Sequence, residues 1–265
     1  MASRSWIFPS PIATDVDGVA RLRIEAMSGY VELVEHDREH VHVAVDDVAG
    51  RSVEMTLEGD ALLISHAPGG FEGFWRRLIP SSATGRIRLR VFVPATVRAS
   101  LSVSGCETVV RGLSEDVEVS TVSGRVTLAE CRGAARVRTV SGDVVVREHQ
   151  GDAAVSSVSG RCDISGRIPV VDISTGTSGV WCATGEPNSR VTVSSMSGTV
   201  NIRVPAETTL RLSARRLGGH VAVDGTPVDV SGGRELSFGA FGTVATVSVS
   251  IMSGTVDVRR DVVVR

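Results

Sequence analysis

Along most of the chain apolar residues alternate with polar ones, and Ser-Gly interrupts the alternation at a nearly constant interval. The dipeptide occurs at Ser123-Gly124, Ser141-Gly142, Ser159-Gly160, Ser178-Gly179 and Ser197-Gly198, spaced 18, 18, 19 and 19 residues apart, and again at Ser253-Gly254. If Ser178 occupies the glycine position of its unit, with Gly179 as an insertion, the first three intervals all become 18. Before each glycine come apolar sets such as Val117, Val119 and Val122, or Ala135, Val137 and Val140, or Val191, Val193 and Met196. After it come pairs such as Val144 and Val146, Cys162 and Ile164, or Val200 and Ile202.

Period-two alternation rich in valine and isoleucine predicts strands with one buried face, and no part of the repeat has a helical period. Each unit therefore has two short strands, turning at Ser-Gly and again near Gly133 or Gly151. Gly105, Gly124, Gly142, Gly160, Gly198 and Gly254 are the expected structural turns, where a residue without Cβ reaches positive φ freely. One unit cannot bury its valines alone, whereas stacked units bury them continuously. The expected fold is all-β, a β-solenoid or β-helix-like stack of about 18-residue two-strand repeats.

The two ends differ from the middle. Residues 1–95 read as an irregular β-rich part and cap, continuous with a Ser-Gly repeat solenoid over 96–265. Ala20 to Val34 reads as two alternating strands around Met27-Ser28-Gly29, and further strand patterns occur at Glu39 to Val45, Ser52 to Leu57, Ala61 to Ser65 and Arg86 to Pro94. The segment from Gly69 to Pro80 holds Phe71, Phe74 and Trp75 beside Arg76 and Arg77. These five are the candidate partner-binding residues, because exposed aromatics next to arginine are typical of binding hot spots. The chain finishes in strand pattern, and an open β-edge there is a route to homo-oligomers through the solenoid ends.

Composition narrows the chemistry. With 265 residues and 42% apolar content the chain can build a full core. All 28 basic residues are arginine, so neither a Schiff-base lysine nor a P-loop lysine exists. A net charge of -2 gives no general attraction for nucleic acid. Cys106, Cys131, Cys162 and Cys182 match neither a redox pair nor a zinc knuckle and read as reduced, structural thiols. His36, His40 and His42 could approach one another across a hairpin, but no recognised ligand spacing supports a metal, and none is expected. Trp181 interrupts the repeat at an outward position, as a contact or sugar-stacking residue. No G-x-S-x-G elbow, dinucleotide loop or converging set of carboxylates is present, so neither catalytic residues nor a cofactor are expected. No signal-peptide core, membrane span or lipid-anchor cysteine stands out, and the expected location is the cytoplasm, with membrane association through a partner.

The run Arg88-Leu89-Arg90-Val91-Phe92-Val93-Pro94, then Leu101-Ser102-Val103-Ser104-Gly105, then Val-Ser-Gly-x-Val units, resembles the bacterial putative-adhesin β-strand repeat family, also called toastrack domains. The resemblance spans about Val19 to Val264. It implies a β-solenoid-like domain without catalysis, linked to envelope-stress systems and membrane stress-sensor partners; together with the open edge, the expected role is a self-associating scaffold or interaction module in envelope-stress signalling. The alternative role is an exported adhesin or glycan-binding protein.

Overall fold

The computed structural model describes residues 3–8, 12–50, 52–66, 85–216, 218–230, 235–240 and 242–262. Among these every regular element is a strand, as the alternation requires. The chain divides into two compact units, one of residues 1–126 with 131–133 and the other of 127–130 with 134–265.

The first unit holds β1 (Ser3–Phe8), β2 (Ile12–Val16), β3 (Arg21–His36), β4 (Val41–Ala49), β5 (Val53–Glu58), β6 (Ala61–His66), β7 (Arg86–Pro94), β8 (Arg98–Arg111) and β9 (Val117–Ser123). Its axis is β3, a single 16-residue strand running straight through Met27-Ser28-Gly29. Parallel partners flank β3 on both edges: β6 and β7 on one, β8 on the other. Hairpins then pair antiparallel at the margin, β5 with β6 and β4 with β7. Leu22, Ile24, Val31 and Leu33 of β3 are fully buried, as are Leu62, Ile64, Leu89 and Val91 opposite them.

β10 (Val126–Ala129) crosses the boundary between the units. The second unit continues with β11 (Ala135–Ser141), β12 (Val144–Gln150), β13 (Ala153–Ser159), β14 (Cys162–Arg167), β15 (Val170–Thr177), β16 (Val180–Thr184), β17 (Arg190–Pro205), β18 (Thr209–Arg216), β19 (His220–Val223), β20 (Thr226–Pro227), β21 (Glu235–Phe238) and β22 (Val244–Val262). From β11 to β15 each strand pairs in parallel with the strand two further on, the pairing that an 18-residue repeat of two strands demands. Two parallel ladders result. One runs β11, β13, β15, first half of β17, first half of β22, β18, and the other runs β12, β14, β16, second half of β17, second half of β22, β19.

The register lines the buried side chains up in columns. Val137, Val155, Ile173, Val193, Val249 and Ala214 form one, and Val146, Ile164, Cys182, Ile202, Val258 and Val223 another, every member at most 3% exposed. Each fully buried valine or isoleucine contributes about 1.5–3 kcal/mol relative to exposure, so these columns outweigh any surface pair.

Three details differ from the sequence expectation. Val140, Val158, Met196 and Met252 point outward, 42–60% exposed, and Val122 is half-buried. The step from Val137 to Val140 is three residues, which breaks period two and gives the inner seat to Thr139, as it does to Ser157 and Ser195 elsewhere. The two serine hydroxyls suit the position because a carbonyl turns inward beside them: Ser157 Oγ donates to Ser159 O at 2.9 Å and Ser195 Oγ to Ser197 O at 3.1 Å, whereas the buried Thr139 hydroxyl has no such partner. Second, Ser178 does take a glycine seat, its carbonyl lying against Gly198, but Gly179 is not inserted. The offset is still 18 at Thr184 and becomes 20 at Arg190, so the two additional residues lie in the 185–189 turn. Third, Arg21–His36 is one continuous strand rather than two, carried through Met27-Ser28-Gly29 by its parallel partners.

Candidate functional site

Among the expected turn glycines, Gly124, Gly160, Gly198 and Gly254 have φ between 108° and 144°, whereas Gly105 and Gly142 do not adopt positive φ. Gly105 pairs with Ser123, one place short of the glycine seat, and Cys106 takes that seat under Gly124. Phe71, Phe74, Trp75, Arg76 and Arg77 lie outside the described residues. His36, His40 and His42 do gather at one end of β3 and β4. His42 Nδ1 is 2.5 Å from Asp15 Oδ1, His40 Nε2 is 3.6 Å from the same oxygen, and His36 Nε2 bonds the His40 carbonyl at 2.8 Å. No group of three metal-ligating side chains occurs among the described residues. The hydrogen bond from His42 holds the Asp15 carboxyl below its ordinary range, and the bidentate Arg90 contact does the same for Asp46. Burial pushes the thiols up, to about 12 for Cys106 and Cys182 and about 11 for Cys162, where Asp163 and Asp143 add to it. Such thiols act as small hydrophobes in the valine columns rather than as nucleophiles.

A different surface has the character of a binding site. On the outer face of the first ladder the register stacks Arg138, Ser156, Ser174, Ser194, Ser250 and Arg215 in one column. Beside it runs a second column of Arg136, Ala154, Asp172, Thr192, Ser248 and Ser213. Alternation puts these residues outside because their neighbours Val137, Val155 and Ile173 fill the core, and parallel in-register pairing turns a recurring serine into a row. Small side chains leave the face low, and an open groove of about 260 Å³ runs over it from Arg136 and Arg138 to Thr192 and Ser194, floored by Val137, Val155 and Ile173. Five rung steps of about 4.8 Å separate Arg138 from Arg215, a span of about 24 Å. Hydroxyls both donate and accept, and arginine recognises carboxylate or phosphate in a fork, so the row suits a hydroxylated, anionic chain lying across the rungs. Sequence reading passed over these serines because the alternation marks them only as solvent-facing. Reading the repeat column by column would have found them.

No protein-family model matches the chain, and no curated protein matches its sequence significantly. Solved structures do match its fold. A putative adhesin from Bacteroides fragilis superposes with a TM-score of 0.50 at 13% identity, covering 94% of this chain and 97% of its own. A protein from Parabacteroides distasonis described as a putative lipid binding protein superposes with a TM-score of 0.51 at 11% identity, with the same coverages of 94% and 97%. The chain thus shares the all-β repeat fold of bacterial adhesin-type structures, in keeping with the family its repeats resemble.

Proposed function

We propose that this protein is a non-catalytic recognition module whose second unit is a β-solenoid, and that the groove on its first ladder holds an extended acidic polysaccharide. The observation that carries the proposal is the row of Ser156, Ser174 and Ser194 in the groove beside Arg138, in a column that runs on through Ser250 to Arg215. The groups with shifted acidity, Asp15, Asp46 and Asp60 in surface ion pairs with Arg90 opposite Asp46, the partly buried Tyr30 and the core thiols, are not among the residues lining the groove. Of the two roles left open by the sequence, cytoplasmic scaffold and exported adhesin or glycan binder, this groove favours the second. Titration calorimetry with hexagalacturonate tests it. Binding should weaken about tenfold in the Arg138→Ala/Arg215→Ala double variant, at roughly 1 kcal/mol or less for each exposed pair, and vanish in Ser174→Trp, which fills the groove. Equal affinity in wild type and both variants would refute the groove.

Self-association is a second reading, and one observation favours it. The register aligns Met196 with Met252 in the same outward column as Val140 and Val158, with Gly176 between the two pairs, and all four are exposed apolar side chains. A row of apolar groups at strand spacing on an otherwise polar surface is the pattern that a second copy covers.

A further inference from the structure

The outer face of the other ladder carries a feature that the groove does not use. Trp181 projects from β16 and is 36% exposed, the largest apolar side chain in the second unit's exposed set. Its cross-strand neighbours are Asp163 on β14 and Asn201 on β17, and beyond Asn201 the same column reaches Asp257 on β22. Along its own strand the residues two places away on the same face are Gly179 and Ala183, the smallest side chains available. A Cβ built on Gly179 meets nothing within 4 Å, so one flank of the indole opens to solvent. The guanidinium of Arg203 lies over the ring, 6.0 Å from its centroid, and is tied there by Asp261 Oδ2 at 3.4 Å, so a ligand has the other indole face.

We propose that Trp181, Asp163 and Asn201 form a binding platform for a neutral pyranose sugar. An indole face carries negative quadrupole density, and a gluco-configured ring presents on one side a patch of C–H groups that stacks on such a face. Equatorial hydroxyls then leave the ring edge in the plane of the stack, toward the two rungs on either side at about 4.8 Å, where a carboxylate accepts and a side-chain amide donates and accepts. Asp163 beside the indole, with Arg203 paired to Asp261 and Asp257 paired to Arg259, disfavours an acidic sugar, so the platform selects neutral glycan. This site lies on a different ladder from the groove and stands or falls apart from it.

Affinity electrophoresis and tryptophan fluorescence with cellohexaose, maltohexaose, xylohexaose and chitohexaose test the platform. At least one hexaose should bind wild type and shift the Trp181 emission. Trp181→Ala should lose at least tenfold in affinity, while Trp181→Phe keeps part of it through the smaller ring. Asp163→Asn should cost a few-fold. Gly179→Arg, placed in open space at ordinary φ, should block binding while leaving the unfolding midpoint unchanged, so that lost binding is separable from lost fold. Failure of all four sugars to bind, or equal affinity in wild type and Trp181→Ala, overturns the proposal. If Ser174→Trp abolishes hexaose binding while Trp181→Ala does not, the sugar occupies the groove, the platform is wrong and the groove stands.

Discussion

Gly160 sits where no side chain fits. Its φ is 118°, and a Cβ there would collide with the carbonyl oxygen of Gly142 on the rung beneath. The same collision meets Gly124 over Cys106 and Gly198 over Ser178, so these glycines serve close backbone stacking as much as turn formation. Gly160→Ala should destabilise the second unit by about 2–4 kcal/mol, since positive φ and a backbone clash act together. Gly179→Ala, in open space, should be close to neutral. Chemical denaturation of the two variants checks this, and similar midpoints would count against the close-stacking account. Seeing a turn glycine in Ser-Gly required only the repeat. Deciding that Gly105 is not one required the register, because Ser123 and not Gly124 stands beside it.

Among the elements β22 has the largest consequence. The last strand in sequence lies between β17 and β18, pairing in parallel from Arg190↔Thr246 to Pro205↔Val262 on one side and from Thr209↔Val244 to Val223↔Val258 across β18 and β19 on the other. The three-strand excursion from β18 to β20, followed by β21, therefore precedes the strand that joins it to the ladder. Deleting 243–265 removes Val247, Val249, Val256 and Val258 from their columns and leaves two parallel edges unpaired. The truncated chain should lose cooperative unfolding and aggregate, as followed by calorimetry and light scattering; a soluble product with a single sharp transition would contradict this. Strand identity here was legible from alternation, Val244 to Val258 included. Strand order was not, since insertion of a terminal strand between earlier ones leaves no trace in local pattern.

For the molecule as a whole, the exposed apolar column bears on assembly. Val158→Arg and Met196→Arg change outward positions that pack against no core, so folding should survive in each variant. If a second copy covers this column, wild type should show a concentration-dependent rise in mass by multi-angle light scattering that the double variant lacks. Identical monomeric masses at all concentrations would exclude self-association through this row.

Period and alternation determined by themselves that the repeat is built of strands, that its regular units are 18 residues long, and that valines at strict period two such as Val137 and Val155 face inward, because these follow from the two-residue pitch of a strand and the need of each unit for a neighbour. Only the tertiary structure decided what the outward residues amount to. A solvent-facing serine carries no signal one strand at a time, Trp181 stands out in sequence without its neighbours, and Met196 reads as one of the apolar set of Val191 and Val193 until the structure turns it outward. Parallel pairing in register sets Ser156 beside Ser174 and Asp163 beside Trp181, and those juxtapositions between residues 18 apart are what turn scattered polar positions into binding surfaces.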